Sequence, residues 1–215
     1  MSTTAEFKKF IESLASEKAP GPSTTFSMFH IFSALEILCQ KPIGRNRLAE
    51  YLDVGDGAIR TIIKRLKDAN LIITSKGGMK LTDKGREIWR KFEDLFPQRA
   101  EIDKTELTNS AFSYAFLVKD SSDKIGSGID LRDAAIMGGA KRAISIARRD
   151  GHLVIDSVSG IIEKAFPEAA RKIQKCITAE ENDVIIIAGG DSLRKAKRGA
   201  FAAAWVLVGE SQRAG

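Results

Sequence analysis

The sequence predicts an α+β protein in two parts: a helical, basic N-terminal domain closed by a β-hairpin, then a two-layer α/β domain with a mostly antiparallel sheet. Three observations carry this. The 215 residues suffice for two small cores, since domains commonly hold about 100 to 200 residues. The net positive charge is localised in the first half: Lys41 to Lys91 contains 13 basic and 6 acidic residues, an excess of seven in a chain whose net charge is +6. Apolar residues recur at helical spacing through the first half, whereas strand-like runs dominate the second.

Composition narrows the classes of function. Hydrophobic residues at 43% and charged residues at 29% are those of a globular chain. No apolar run approaches the ~20 residues of a membrane helix. Glu6, Glu12 and Glu17 interrupt the first 25 residues, so the expectation is a cytoplasmic protein without a secretory signal. Cys39, Cys176, His30 and His152 are isolated, which predicts no zinc site, no other metal and no cofactor. A sequence pI of about 9.3 is compatible with a polyanionic partner.

Phe7, Phe10, Ile11 and Leu14 predict a helix from Ala5 to Ser16, and Met28, Phe29, Phe32, Leu35 and Leu38 another from Ser27 to Cys39. Gly44 to Leu52 predicts a short helix. Asp53-Val54-Gly55 then makes a tight turn, with Asp53 in the left-handed conformation that Asp and Asn tolerate best among non-glycine residues. Asp56 is expected to cap the next helix, which runs to about Ala69 and buries Ile59, Ile62, Ile63 and Leu66. Leu71 to Ser75 and Lys80 to Thr82 predict a hairpin with Lys76-Gly77-Gly78-Met79 at its tip. A helix capped by Thr82 or Asp83 follows, with Ile88, Trp89, Phe92 and Phe96 packing inward or against a dimer partner.

Ile43 to Glu87 resembles the winged helix-turn-helix domains of DNA-binding regulators. On that reading Arg60, Thr61, Lys64 and Arg65 project from the recognition helix, Lys76 and Lys80 flank the wing, and Arg45, Asn46 and Arg47 approach the phosphate backbone at a helix start. The alternative is a winged helix devoted to protein contacts, its charges merely solvated.

The domain boundary is placed near Thr105, giving residues 1–104 and 105–215. In the second part Phe112 to Lys119 and Lys124 to Ser127 predict strands, Ile129 to Arg148 a helix, His152 to Val158 a strand, Gly160 to Ile177 a helix interrupted at Pro167, Asp183 to Ala188 a buried strand and Ser192 to Val208 a final helix. That order predicts helices on one face of the sheet. Two glycine-bearing loops precede helices: Gly126, Gly128 and Asp130, with Arg132 nearby, and Gly189, Gly190, Asp191 and Ser192. They are candidate ligands for a small anionic effector through backbone N–H groups, or else plain turns in which Asp130 and Asp191 cap helices.

The succession IGRNRLAEYLDVGDGAIRTIIKRLKDANLI, LTDKG, GSGIDLRDAAIMGGA and DVIIIAGGDSLRKAKRGAFAAAW resembles an archaeal family of uncharacterised winged-helix, transcription-regulator-like proteins. The resemblance implies an N-terminal winged helix and a small α/β domain similar to one inserted in some bacterial tRNA-charging and amidotransferase proteins; it supplies a fold and no activity. The expectation is a homodimeric regulator that binds double-stranded DNA, is not an enzyme, and uses its second domain for effector sensing or assembly. The other classes that remain open are an enzyme built on the second domain and a protein-interaction module.

Overall fold

A computed structural model describes residues 4–16, 26–155 and 160–209. The chain divides into two compact units, Met1–Phe92 and Glu93–Gly215. The division precedes the expected boundary near Thr105 because Arg99–Ile102, read as connector, is a strand of the second unit's sheet.

The first unit opens with α1 (Thr4–Ala15) and α2 (Met28–Gln40). Phe7, Ile11 and Leu14 on α1 and Phe29, Phe32 and Leu35 on α2 are buried. α3 (Arg45–Leu52) and α4 (Asp56–Asp68) follow. Between them Asp53 adopts the expected left-handed conformation, φ 56°. Its N–H donates to the Glu50 carbonyl and that of Val54 to the Ala49 carbonyl, the paired bonds of a Schellman cap that answer the last carbonyls of α3. Gly55, not Asp56, is the N-cap of α4, and Asp56 stands in its first turn.

Strands β1 (Ile72–Ser75) and β2 (Gly78–Leu81) pair Ile72 with Leu81 and Ser75 with Gly78, leaving Lys76 and Gly77 as a two-residue tip. α5 spans Asp83–Leu95, and the Thr82 hydroxyl accepts from Gly85 N–H at 3.0 Å, a cap the sequence anticipates. Phe92 meets Phe7 at 5.1 Å and Phe32 at 5.2 Å, edge to face, so the apolar side of α5 closes this core instead of awaiting a second chain.

The second unit is built on six antiparallel strands in the order β3-β4-β8-β5-β6-β7: β3 (Arg99–Ile102), β4 (Phe112–Val118), β5 (Arg142–Arg149), β6 (His152–Ile155), β7 (Gly160–Ile161) and β8 (Val184–Gly190). Every residue of β8 is buried. Ser122–Lys124 is a single 3-10 turn, so the strand expected at Lys124 to Ser127 is absent. His152 to Val158 was expected as a strand; of it, residues 156–158 lie outside the described residues.

The expected helix from Ile129 to Arg148 is instead α6 (Ile129–Met137) followed by β5. Gly139, at φ 101°, ends the helix. Its N–H donates to the Ile136 carbonyl and that of Ala140 to the Ala135 carbonyl, again a Schellman cap. Helices cover both faces of the sheet, correcting the two-layer expectation. On one face Phe116 meets Phe201 of α9 (Leu193–Val206) at 6.0 Å. On the other, Ala115, Leu117, Ile185 and Ile187 form a cluster with Ile162 of α7 (Ile162–Ala165) and with Ala170 and Ile173 of α8 (Pro167–Cys176). Alternation along β4 and β8 sends neighbouring residues to opposite faces, and both are apolar. Among the described residues no helix is long and apolar enough to cross a membrane.

Candidate nucleic-acid interface

The amphipathic division of α4 makes the candidate surface. Ile59, Ile62 and Leu66 are buried, while Asp56, Arg60 and Lys64, at i, i+4 and i+8, are exposed. The Arg60 guanidinium meets the Asp56 carboxylate at 2.6 Å, and Arg45 approaches the same carboxylate at 3.9 Å. All three side chains are about half exposed or more, so each pairing is worth at most ~1 kcal/mol and exchanges readily for a stronger anion. The i, i+4 spacing of Asp56 and Arg60 was legible in the sequence as a pairing, although Asp56 reads there as a cap.

Thr61 is half-buried and its hydroxyl donates to the Gly57 carbonyl at 2.9 Å. Arg45, Asn46 and Arg47 are exposed along the first turn of α3, as expected. Lys76 at the hairpin tip and Lys80 on β2 are exposed, and Met79 between them turns inward.

Arg65 departs from expectation. It is buried, and its Nη1 donates to the carbonyls of Leu14 at 2.9 Å and Ser16 at 2.7 Å, while the guanidinium lies 5.1 Å from the Phe26 ring centroid. These carbonyls end α1 and lack intrahelical partners, so Arg65 caps a neighbouring helix and offers nothing to solvent. Other members of the basic excess are also engaged within the fold: Lys84 donates to the Ala69 carbonyl at 3.0 Å and Arg86 to Asp83 at 2.6 Å.

In the second unit the two loops offered as one effector site do not converge. Gly128 lies against Ser145, which pairs with Ile186, whereas Gly189 and Gly190 end β8 on the side where Arg142 pairs with Gly189. Three strand residues, about 10 Å, separate those levels. Gly189 and Gly190 belong to the strand rather than to a loop: a Cβ on Gly189 would fall 2.4 Å from the Ser110 hydroxyl, so close packing and not ligand access requires glycine there. Asp191 is paired with Lys141 at 2.6 Å and Lys195 at 3.8 Å. The hydrogen bond from Lys141, with the charges of both lysines, holds its carboxyl below the usual carboxylate range.

The caps are Gly128 for α6 and Ser192 for α9, the Ser192 hydroxyl accepting from Lys195 N–H at 3.3 Å, so neither Asp130 nor Asp191 caps a helix. Asp130 and Arg132 are exposed on α6. The cavity beside Gly128 and Arg132 is of the size of one water molecule.

Comparison with known proteins follows this division. Residues 31–87 match the family described as "PH0730-like, N-terminal domain". Residues 109–207 match a "Domain of unknown function (DUF4443)". No curated protein matches the chain. A solved structure that matches is "Hypothetical protein PH0730 from Pyrococcus horikoshii OT3", 28% identical, with a TM-score of 0.65 over 85% of this chain and 92% of that one. The chain is thus similar to proteins of an uncharacterised, archaeal-like family.

Proposed function

We propose that the chain is a DNA-binding transcription regulator that acts as a homodimer, with residues 43–87 serving as a winged helix-turn-helix and the second unit as its assembly domain. The observation that carries this reading is the exposed Arg60 and Lys64 face of α4, opposite the buried Ile59, Ile62 and Leu66 and followed in the chain by a hairpin bearing exposed Lys76 and Lys80. A helix laid in the major groove reads bases with residues near its N-terminus. Arg60, in the second turn of α4, has the planar fork that fits the O6 and N7 acceptors of guanine. Lys64, one turn further on, and Arg45, Asn46 and Arg47 on α3 suit phosphate contacts. The hydroxyl of Thr61 is engaged with the helix backbone, which leaves its methyl group for apolar contact.

The reading assigns no catalytic step to the chain. Effector sensing at the glycine-bearing segments is set aside, because they are separated and Gly189 and Gly190 are strand residues occupied in packing. A homodimer follows from affinity, since paired modules read two half-sites about one DNA turn apart.

The test begins with selection, from random fragments, of DNA retained by the purified protein. Combined Arg60→Ala and Lys64→Ala is expected to weaken binding to the selected fragment at least tenfold in fluorescence anisotropy, with an unchanged thermal melt. Equal affinity in the double variant would remove α4 from the interface, and failure to retain any duplex would overturn the reading.

The hairpin lysines act differently. Lys76→Ala with Lys80→Ala is expected to flatten the dependence of log Kd on log salt by about 0.9 per lost phosphate contact, with the sequence preference kept. An identical slope would place the hairpin away from DNA.

A further inference from the structure

We infer that the outward face of α6 is the homodimer contact, joining two second units through an antiparallel pairing of α6 with its copy. This rests on the dimeric part of the proposed reading and adds the surface that makes it. α6 turns Leu131 and Ala135 inward, both buried, and at 100° per residue the opposite side carries Ile129, Arg132, Asp133, Ile136 and Met137 within one arc. Ile129 is 59% exposed, Ile136 42% and Met137 88%, while Arg132 and Asp133 are exposed between them. Among the described residues, neither of these two charges has an ion-pair partner within the chain. Three large apolar side chains on nine residues of surface helix form a cluster rather than scattered exposure.

The order of residues along this face names its occupant. A two-fold axis passing between positions 132 and 133 of antiparallel helices sets Ile129 against the partner's Ile136 and Arg132 against the partner's Asp133, and the same contacts recur with the roles exchanged. The pattern apolar, basic, acidic, apolar is therefore complementary to itself, which is the requirement of an isologous interface. A partner of another sequence would need no such mirror relation. The patch is one short helix wide, below the roughly 1,200 Å² of total burial typical of stable complexes, so the dimer forms in a concentration-dependent manner and is reinforced when both first units occupy DNA.

Sedimentation equilibrium on the full chain without DNA, from low micromolar to several hundred micromolar protein, tests this. The mass is expected to rise from one chain to two. Arg132→Asp and Asp133→Arg should each weaken the dimer at least tenfold by opposing like charges, and the two combined should restore it, because the exchanged pair is again complementary. Circular dichroism melts should not change, since both side chains are exposed. A single-chain mass at every concentration, single variants that dimerise like the parent, or a double variant no better than the singles would each overturn the assignment. The measurement is independent of nucleic acid: a protein that dimerises through α6 yet retains no duplex leaves this inference standing and the DNA reading fallen.

Discussion

Arg65→Ala is expected to lower the stability of the first unit by about 3 kcal/mol, read as a fall of roughly 12–24 °C in its melting temperature, while leaving DNA affinity below the transition close to that of the parent. The substitution strands the carbonyls of Leu14 and Ser16, each of which accepts from a charged donor, and removes the guanidinium from the Phe26 ring. A hydrogen bond to a charged group contributes about 1.5–3 kcal/mol, so the loss of two outweighs the side-chain entropy recovered. Arg65→Lys should recover only part of the loss, because an ammonium lacks the planar guanidinium that lies against the Phe26 ring. Differential scanning calorimetry with parallel anisotropy separates the outcomes. A normal melt with lost DNA affinity would return Arg65 to the interface.

The second large effect is expected at the crossing of α6 and α9. Gly199→Ala should destabilise the protein by about 2–3 kcal/mol, although alanine is intrinsically the better helix former by ~1 kcal/mol. A Cβ at Gly199 would lie 2.5 Å from the Cβ of Ala140 and 2.9 Å from the carbonyl oxygen of Ala135, and backbone cannot yield as a flexible side chain does. Opposite it, Gly138 has the Cα of Gly199 2.9 Å from where its own Cβ would stand, and Arg198 Nε donates to the Gly138 carbonyl. Gly57→Ala in α4 is the matched control: nothing lies within 4 Å of its Cβ position, so propensity alone should act and the variant should gain up to ~1 kcal/mol. Chemical denaturation of both variants checks the pair, and a stabilised Gly199→Ala would show that the two helices can part without cost.

The first unit was legible because its cues are local. Apolar spacing, the Asp53 turn and the glycine-bearing hairpin each act within a few residues, although Gly78 and Met79, expected in the tip, are paired residues of β2, and all five helices start and end within two residues of expectation except α5, for which no end was assigned. The second unit was less so. Ile129 to Arg148 carries enough alanine to read as one helix, yet Gly138 and Gly139 supply a cap, and the strand after them is fixed by pairing with β8, more than 35 residues away. Gly189 and Gly190 look like a loop in sequence, but the partner β4 makes them strand.

The candidate interface shows the same limit. Arg60 and Lys64 follow from phase alone. Arg65 sits about 60° from Ile62 at the margin of the apolar stripe, and only the end of α1, some fifty residues earlier, decides that it is buried.

The placement of β8 governs when this protein can fold. The centre of the sheet is the strand made last, with β4 and β5 on either side joined through it and not to each other. During synthesis every other strand of the second unit has emerged before Val184 appears, so β4 and β5 each wait with a bare row of backbone donors and acceptors. The nascent chain therefore holds half-formed hairpins until Val184–Gly190 arrives, and that one insertion closes both ladders. A chain cut short ahead of β8 loses more than an edge, because the two halves of its sheet have nothing left to pair with.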